Sequence, residues 1–367
     1  MKIKLIQCGD IHLDAPFTSL SEVEGKPEQR RNDLKSTLSR IVEATIDENA
    51  DLLLICGDLY EHNYIRKSTI HYVCDQFGRI PEVPVLMIPG NHDPAVHGSY
   101  YSDFIWPSNV HILKEGIFYE HPTGTRVYGA LPQLDRIDRS RINILMFHGT
   151  LDMPFSTDAF HPISGKDIEE YGFDYCALGH FHSRIDGAGP DRTIFNAGSP
   201  EPLGFDEEGE HGVYSAEISK GSNERGNIQA GFLKLCRRRF INLDVQITGC
   251  TTSERVVVMA AEAMERTGCA EDLFRISLSG YLARDIKVDT DLIMDMLTAK
   301  AFYIRVLNKT EPEYDFEQIA DEPGLRGLFA RKMLDRLKTA GDSKEKELIM
   351  QALYYGMEAI DEGKVCI

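Results

Sequence analysis

Residues 85 to 93 of this 367-residue chain read Val85-Leu86-Met87-Ile88-Pro89-Gly90-Asn91-His92-Asp93. The first four are apolar, which is typical of a strand that is buried on both faces of a sheet. Gly90 lets the backbone turn sharply, and the two residues after it are of types that bind divalent metals. Open α/β sheets place their sites at the carboxyl ends of strands. The stretch therefore predicts an α/β sheet with candidate site residues at Asn91 and His92.

The same unit, an apolar run followed by polar ligand residues, recurs in order along the first half of the chain. The other patches are Asp10-Ile11-His12, Gly57-Asp58, Phe147-His148-Gly149 and Gly179-His180-Phe181-His182. Taken singly these patches are weak signals, because Gly-Asp and Gly-Asn-His are also common in turns. Five of them in order, each behind a strand, indicate one shared site.

The residue types at this site predict a pair of divalent metals. On a strand, residues i and i+2 point the same way, so we expect Asp10 with His12, and His180 with His182, to reach one metal together. One carboxylate must bridge two ions in a dinuclear centre. Mixed oxygen and nitrogen ligands suit Mn²⁺, Fe, Zn²⁺ or Co²⁺ better than Ca²⁺. Such a centre activates water for attack on phosphorus, so the pattern predicts a metal-dependent phosphoester hydrolase.

The composition of the chain bears on its cellular location and on the partners that it can bind. The formal net charge of −18 opposes binding of nucleic acid by the free chain, although bound cations would invert the field locally. The eight cysteines include no CxxC pair, which favours reduced thiols in a cytoplasmic protein. No apolar run approaches the roughly 18 residues of a membrane span. Because the first predicted strand is Lys4–Cys8 and Asp10 and His12 follow it, we expect no cleaved signal peptide.

The hydrophobic pattern predicts alternating strands and helices in the first half of the chain, and hence an α/β fold class. Three later strand-like segments, Arg192–Phe195, Val213–Ile218 and Ala230–Leu235, are predicted to belong to a second sheet. A smaller α+β unit is expected from Gly249, and two amphipathic helices are expected at Gly324–Thr339 and Ser343–Glu362.

The five patches resemble the signature of the calcineurin-like metallophosphoesterases, which is D-x-H, GD, GNH(D/E), a later H and GHxH. The resemblance spans about Met1 to Ile218 and implies a four-layer α/β/β/α sandwich. It also implies a role for each site residue. One metal would be held by Asp10, His12 and His182, and the other by Asn91, His148 and His180. Asp58 would bridge the two ions, and His92 would be the catalytic histidine.

Within that superfamily the chain is similar to the DNA-repair exonucleases of the SbcD and YhaO type. The stretches that carry this similarity are Asp10–Phe17, Gly57–Tyr60, Ile88–Asp93 and Asn196–Pro200. The resemblance implies a nuclease domain over residues 1–248, a small α+β cap domain over 249–322, and a C-terminal helical region over 323–367. It further implies Mn²⁺ as the metal, DNA as substrate, an SMC-like ATPase partner of the SbcC type, and a homodimer face near Ser68–Phe77 and Ser99–Trp106.

Some residues depart from the family pattern. Certain nucleases carry a His three residues after the bridging Asp, where this chain has Glu61 followed by His62. The segment Glu201–His211 is strongly acidic. Asp14 and Asp93 are candidates to orient ligand imidazoles, and His62 is a candidate to position substrate. These departures keep two alternatives open. One is a phosphodiesterase or phosphatase that acts on small molecules or proteins, and the other is a scaffold for an ATPase.

Overall fold

The computed structural model describes residues 1–131, 137–152, 160–221, 225–283 and 286–362. The strands are β1 Lys2–Cys8, β2 Leu52–Cys56, β3 Val85–Ile88, β4 Val110–Ile112, β5 Phe118–Glu120, β6 Arg126–Tyr128, β7 Asn143–His148, β8 Tyr175–Gly179, β9 Ile185–Ala188, β10 Ile194–Asn196, β11 Gly212–Ser219, β12 Asn227–Lys234, β13 Phe240–Gln246, β14 Leu273–Leu282 and β15 Tyr303–Pro312. The helices are α1 Lys26–Asp47, α2 Lys67–Phe77, α3 Tyr100–Asp103, α4 Gly165–Tyr171, α5 Ser253–Thr267, α6 Thr290–Leu297, α7 Phe316–Ala320, α8 Leu325–Thr339 and α9 Ser343–Glu362.

Two mixed sheets form the centre of the N-terminal part. The first has the strand order β12-β11-β1-β2-β3-β4, and the second has the order β5-β6-β7-β8-β10-β9. Strands β1 to β4 run parallel to one another, as do β6, β7, β8 and β10. The carboxyl ends of the parallel strands in each sheet therefore share one edge.

Apolar residues on alternating faces of the strands pack these sheets into layers. Leu5 and Leu54 face the second sheet, where they share a core with Ile144 and Met146. The neighbouring Ile6 and the residues Leu53 and Ile55 point to the other face and pack against helices α1 and α2. Helix α4 covers the outer face of the second sheet through Ile168. The α/β fold class and its helix-sheet-sheet-helix layering are confirmed.

Two strands belong to a different sheet from the one predicted. Strand β11 pairs antiparallel with β1, from Lys2 opposite Ser219 to Gln7 opposite Tyr214. Strand β12 pairs antiparallel with β11, so both extend the first sheet. The prediction that Val213–Ile218 and Ala230–Leu235 lie in the second sheet is wrong. Alternation of polar and apolar residues encodes a strand and its buried face, but it carries no information about which strand lies alongside.

A buried network anchors the segment that follows β10. Arg30 on α1 is fully buried and donates to Oε1 of Glu201 at 2.7 Å. The same carboxylate accepts from Oγ1 of Thr37 at 2.9 Å and from the backbone N–H of Arg237 at 2.6 Å. Because leaving one partner of a buried ion pair unpaired costs about 3–5 kcal/mol, Glu201 holds this segment firmly to α1.

The chain divides into two compact units. The first comprises Met1–Asn242, Thr267–Arg275 and Thr298–Ile304, and the second comprises Leu243–Arg266, Ile276–Leu297 and Arg305–Ile367. Strands β13, β14 and β15 form a small sheet in that order.

Helices α7, α8 and α9 of the second unit share a core that includes Ile319, Ala330, Met333, Leu353 and Met357. The domain limits at residues 249 and 323 stay a prediction, and residues 363–367 of the last region lie outside the described residues. Among the helices in the described ranges, none is both long and apolar enough to cross a bilayer.

Candidate metal centre

The five ligand patches lie at the carboxyl ends of strands in the first unit. They follow or end β1, β2, β3, β7 and β8, and they carry Asp10, His12, Asp58, Asn91, His92, His148, His180 and His182. The first three strands belong to one sheet and the last two to the other. The site is therefore built where the strand ends of both sheets meet.

Left-handed backbone turns aim several of these side chains. Asp10, His12 and Asp58 have φ angles of 52°, 50° and 51°, and His180 has a φ of 94°. Such conformations cost non-glycine residues on the order of 1 kcal/mol or more each and cluster at functional sites. Hydrogen bonds of 3.0 Å from the Asp10 N–H to the Gly57 carbonyl, and from the His12 N–H to the Asp58 carbonyl, hold the two loops side by side.

Asp10 and His12 are close together as expected, but not because they lie on one face of a strand. Strand β1 ends at Cys8, so neither residue lies in a strand and the rule of i and i+2 does not apply. The two side chains come together because both residues adopt left-handed φ angles. Periodicity therefore identified this pair for the wrong physical reason. The other expected pair is separated, because Nε2 of His182 lies 3.1 Å from Nε2 of His12 whereas Nδ1 of His180 lies 3.0 Å from Oδ1 of Asn91.

One group of side chains consists of Asp10, His12 and His182. Their candidate ligand atoms all lie within 4.8 Å of one another. The Nε2 atoms of His12 and His182 are 3.1 Å apart. Asp10 and His12 are almost fully buried, whereas the side chain of His182 is 31% exposed.

A second group consists of Asn91, His148 and His180. The Oδ1 atom of Asn91 lies 2.9 Å from Nε2 of His148 and 3.0 Å from Nδ1 of His180. Asp58 lies between the two groups, with its Oδ2 atom 3.3 Å from Nε2 of His148 and 3.8 Å from Nε2 of His12. The structure thus brings together all seven residues that the sequence nominated as ligands.

Three of the imidazoles are held from behind by an acceptor. Nδ1 of His12 lies 2.8 Å from Oε1 of Glu61, and Nδ1 of His182 lies 2.7 Å from Oε1 of Glu207. Nδ1 of His148 lies 2.8 Å from the carbonyl oxygen of Cys56. An imidazole that donates through Nδ1 keeps the lone pair of Nε2 free for a metal.

This arrangement fits a bound cation. Nδ1 of each ring faces a carboxylate, so the Nε2 atoms of His12 and His182 face each other across 3.1 Å. Two acceptors at that separation repel each other unless a proton or a metal ion lies between them. The donor set of carboxylate, imidazole and amide atoms is also the mixed set that first-row divalent metals accept.

The pKa shifts of the acidic and imidazole groups in the centre also fit a bound cation. Burial raises the pKa of Asp10 to about 6. Burial opposes ionisation of Asp58 as well, but the hydrogen bond and charge of His148 outweigh it and lower the pKa of Asp58 to about 2. Burial lowers the pKa of His148, yet Asp58 overcomes this effect and raises it to about 9. The surroundings therefore stabilise positive charge at the position where a divalent ion would supply it.

The sequence did not identify the two carboxylates that contact the ligand imidazoles. Glu61 was noticed only as a departure from a family pattern, and Glu207 only as one of several acidic residues in its segment. Glu61 also lies 3.1 Å, through Oε2, from Nδ1 of His92. The spacing of Glu61 behind Asp58 was a usable signal, whereas nothing local pairs Glu207 with His182, which is 25 residues away.

The residues nominated as orienting groups have other contacts. Asp93 accepts from the N–H groups of Gly90, Asp58 and Leu59 and from the hydroxyl of Tyr101, so it braces the backbone rather than an imidazole.

Asp14 accepts from the N–H of Arg66 at 2.9 Å. The backbone N–H of His62 donates to the backbone carbonyl of His92 at 3.0 Å. The buried Nδ1 atom of the His62 ring has no partner among the described residues. None of these contacts places Asp14 or His62 against a ligand imidazole.

Glycines allow the strand ends to approach closely. A Cβ atom at Gly57 would overlap the ring of His148, and one at Gly90 would overlap the carboxylate of Asp58. A Cβ atom at Gly179 would overlap the carbonyl of Cys56 and come within 2.9 Å of Nδ1 of His148. The lack of a side chain at these positions is therefore a condition for assembling the centre.

Residues 3–184 match the protein family described as calcineurin-like phosphoesterase. The chain belongs to this family. Calcineurin-like phosphoesterases use a dinuclear metal site, and the two groups of side chains that share Asp58 are the matching feature of this phosphoesterase.

Three curated relatives are similar to this phosphoesterase. The uncharacterized metallophosphoesterase YhaO of Bacillus subtilis is 29% identical over 240 residues, covering 60% of this chain and 58% of that protein. The DNA double-strand break repair protein Mre11 of Saccharolobus solfataricus is 25% identical, covering 59% and 61%. The SbcD component of the nuclease SbcCD of Staphylococcus epidermidis is 24% identical, covering 49% and 57%. The matches thus span about three fifths of each relative's length.

We expect Gly179→Ala to lower the affinity of this phosphoesterase for metal by at least about tenfold, because the methyl group displaces the Cys56 carbonyl that holds His148. Elemental analysis of the protein after dialysis against Mn²⁺ measures the effect. Gly231→Ala is the matched control, since a Cβ atom there would meet no atom within 4 Å. Equal metal content in both variants would contradict the role assigned to Gly179.

Proposed function

We propose that this chain is a dinuclear, Mn²⁺-dependent phosphodiesterase that degrades DNA. The observation that carries the proposal is the position of Asp58. Its Oδ2 atom is within 3.8 Å of a histidine from each of the two ligand groups. A carboxylate placed in this way suits the bridging position of a two-metal centre.

Each group of side chains would hold one ion. Asp10, His12 and His182 form one half-site, and Asn91, His148 and His180 form the other. When bound, the two ions supply an activated water and stabilise the negative charge that develops on the phosphoryl oxygens. The protein's own contribution is to hold the donor atoms close together through left-handed φ angles and glycines, with Asp10, His12, Asp58 and His148 buried.

His92 has the features of a proton donor to the leaving group. Its side chain is 45% exposed, so it lies at the mouth of the centre rather than among the buried ligands. The hydrogen bond to Glu61 raises the pKa of His92, which favours the protonated form. A protonated imidazole at the mouth can give its proton to the departing oxygen, a step worth about 10²–10⁴ in rate.

The proposal of DNA as substrate is supported by the relatives. One is named a DNA double-strand break repair protein and another is named as a subunit of a nuclease, and they match 59% and 49% of this chain. Mn²⁺ is proposed because the mixed oxygen and nitrogen ligands suit it. The net charge of −18 makes the cations in the centre the main attraction for phosphate.

One observation favours a smaller substrate as the second candidate. A cavity of about 630 Å³ beside His180 and His182 is lined by four acidic residues, Asp206, Glu207, Glu208 and Glu210, and by one arginine, Arg184. Carboxylates there would repel a neighbouring phosphate of a DNA chain, whereas a short phosphodiester with one phosphate would avoid them. Phosphodiesters of small molecules are therefore the alternative substrate class.

We expect the protein with Mn²⁺ to release nucleotides from end-labelled linear duplex DNA and from single strands, and we expect Asp58→Asn to release none. The comparison substrate is bis(p-nitrophenyl) phosphate, which has no neighbouring phosphate. If the small diester is hydrolysed while both DNA substrates stay intact, the DNA part of the proposal fails and the second candidate replaces it.

We expect His92→Gln to lower kcat by about 10²–10⁴ on DNA, because the 3′-oxygen is a poor leaving group that needs a proton. On bis(p-nitrophenyl) phosphate the loss should be much smaller, since p-nitrophenolate leaves without one. The fully exposed His97 provides the control variant His97→Gln. A loss of equal size on both substrates, or a loss of bound metal, would contradict the proton-donor role.

We propose that the C-terminal helices bind an SMC-like ATPase of the SbcC type. Helices α8 and α9 leave Leu328 and Leu348 46% and 66% exposed, and one relative is named as a component of the multi-subunit nuclease SbcCD. The homodimer predicted near α2 and Ser99–Trp106 stays a prediction.

We expect the double change Leu328→Asp and Leu348→Asp to weaken co-purification with such an ATPase at least tenfold without altering hydrolysis of small diesters. Val258→Asp on α5 serves as the control, because Val258 is an apolar residue of the same unit whose 45% exposure is close to the 46% of Leu328. If the double variant co-purifies with the ATPase as well as the wild type does, these faces of α8 and α9 are not the ATPase-binding surface.

A further inference from the structure

The two half-sites differ in what lies behind their imidazoles. In the half-site of Asp10, both histidines are backed by carboxylates, with Glu61 at 2.8 Å from His12 and Glu207 at 2.7 Å from His182. In the other half-site, His148 is backed by the neutral carbonyl of Cys56. A carboxylate behind an imidazole makes it a stronger metal ligand than a carbonyl does, and removing such a partner typically costs 10–100-fold in metal affinity.

The charges of the direct ligands differ in the same direction. The half-site of His12 and His182 contributes the carboxylate of Asp10, whereas the other contributes the neutral amide of Asn91. Asp58 serves both half-sites and cancels in the comparison. Asp10 also lies within 4.8 Å of the ligand atoms of Asp58 and His148, so the carboxylates that contact one half-site alone are the two behind its imidazoles, Glu61 and Glu207. Among the described residues, no carboxylate except Asp58 is hydrogen-bonded to the imidazole of His148 or His180.

Glu207 is held in place by contacts of its own. Its side chain is 8% exposed, and Oε2 accepts from the hydroxyl of Ser199 at 2.5 Å and from the N–H of Leu203 at 3.1 Å. The segment that carries Glu207 is pinned to α1 through Glu201, which pairs with the buried Arg30. The carboxylate is therefore set in position before any metal arrives, so its effect on His182 requires no rearrangement.

We propose that Glu207 is a positioning residue that makes the half-site of Asp10, His12 and His182 the tightly held one. The half-site of Asn91, His148 and His180 then binds its ion loosely and exchanges it with solution. The inference rests on the proposed dinuclear function and adds an order of occupancy to it. Activity would follow the concentration of free metal, because only the second ion dissociates under ordinary conditions.

The test loads the full-length protein with Mn²⁺, removes free metal by gel filtration and counts the retained ions by elemental analysis. We expect one retained ion per chain in the wild type, and a second that binds only when Mn²⁺ is present in the buffer, as followed by electron paramagnetic resonance of free Mn²⁺. Glu207→Gln should weaken the first ion by 10–100-fold, so that none is retained. His180→Ala should still retain one ion.

The matched control is Glu210→Gln, which removes one exposed carboxylate from the wall of the same cavity without touching a ligand histidine. If it lowers retention as much as Glu207→Gln does, the effect is that of charge alone and the positioning role is overturned. Glu207→Asp keeps the charge but shortens the side chain, and we expect intermediate retention. If circular dichroism shows that Glu207→Gln is unfolded, retention of Mn²⁺ is compared between Glu207→Asp and Glu210→Asp instead. Equal retention in these two variants would overturn the positioning role.

Failure of the inference and failure of the proposed function are distinguishable. Two ions retained with equal affinity, together with hydrolysis of phosphodiesters, would overturn the order of occupancy and leave the function standing. Loss of the retained ion in His180→Ala would also overturn it, because that residue belongs to the other half-site. A wild-type protein that neither binds two ions nor hydrolyses a diester would overturn the proposed function itself.

Discussion

The carboxylate of Asp58 lies where the strand ends of two different sheets meet, and the rest of the centre is arranged around that meeting. Asp58 comes from the first sheet, and the histidine nearest to it, His148, comes from the second. For these side chains to touch, the backbones after β2, β3 and β8 must approach more closely than a Cβ atom would allow. Gly57, Gly90 and Gly179 meet that requirement, and the apolar layer between the sheets sets the separation at which they meet.

The same close approach explains the electrostatics. Asp10 and Asp58 are buried near each other, which is unfavourable for two negative charges unless positive charge is close by. Burial lowers the pKa of the nearby histidines, but Asp58 raises the pKa of His148 to about 9 and Glu207 raises that of His182 to about 9. A divalent ion would supply the same compensation. A chain with a net charge of −18 can therefore still present a positive centre to a phosphoester.

The sequence predicted which segments form the site better than it predicted the backbone geometry and strand pairing that build it. Strands β2 and β3 were predictable from their apolar runs, and the five ligand patches that accompany strands were visible in the sequence. The assignment of seven of their residues as metal ligands rested on the resemblance to the family and stays a prediction. The pairing of Asp10 with His12 was expected from strand geometry, whereas left-handed turns bring it about. The sheet assignment of β11 and β12 was wrong, because an antiparallel neighbour is chosen by long-range packing that local alternation does not encode.

Local features of this protein were therefore determined by its sequence, whereas contacts between distant residues were decided by its tertiary structure. The linear order of residues by itself determined the fold class, the ligand types and the family signature, because apolar periodicity and the residues behind it are local properties of the chain. Only the tertiary structure decided which carboxylates stand behind the ligands. Glu207 reaches His182 through a segment anchored to α1, and Glu61 contacts His12 across 49 positions. Contacts between such distant residues depend on how two sheets and their loops pack, and no pattern along the chain specifies them.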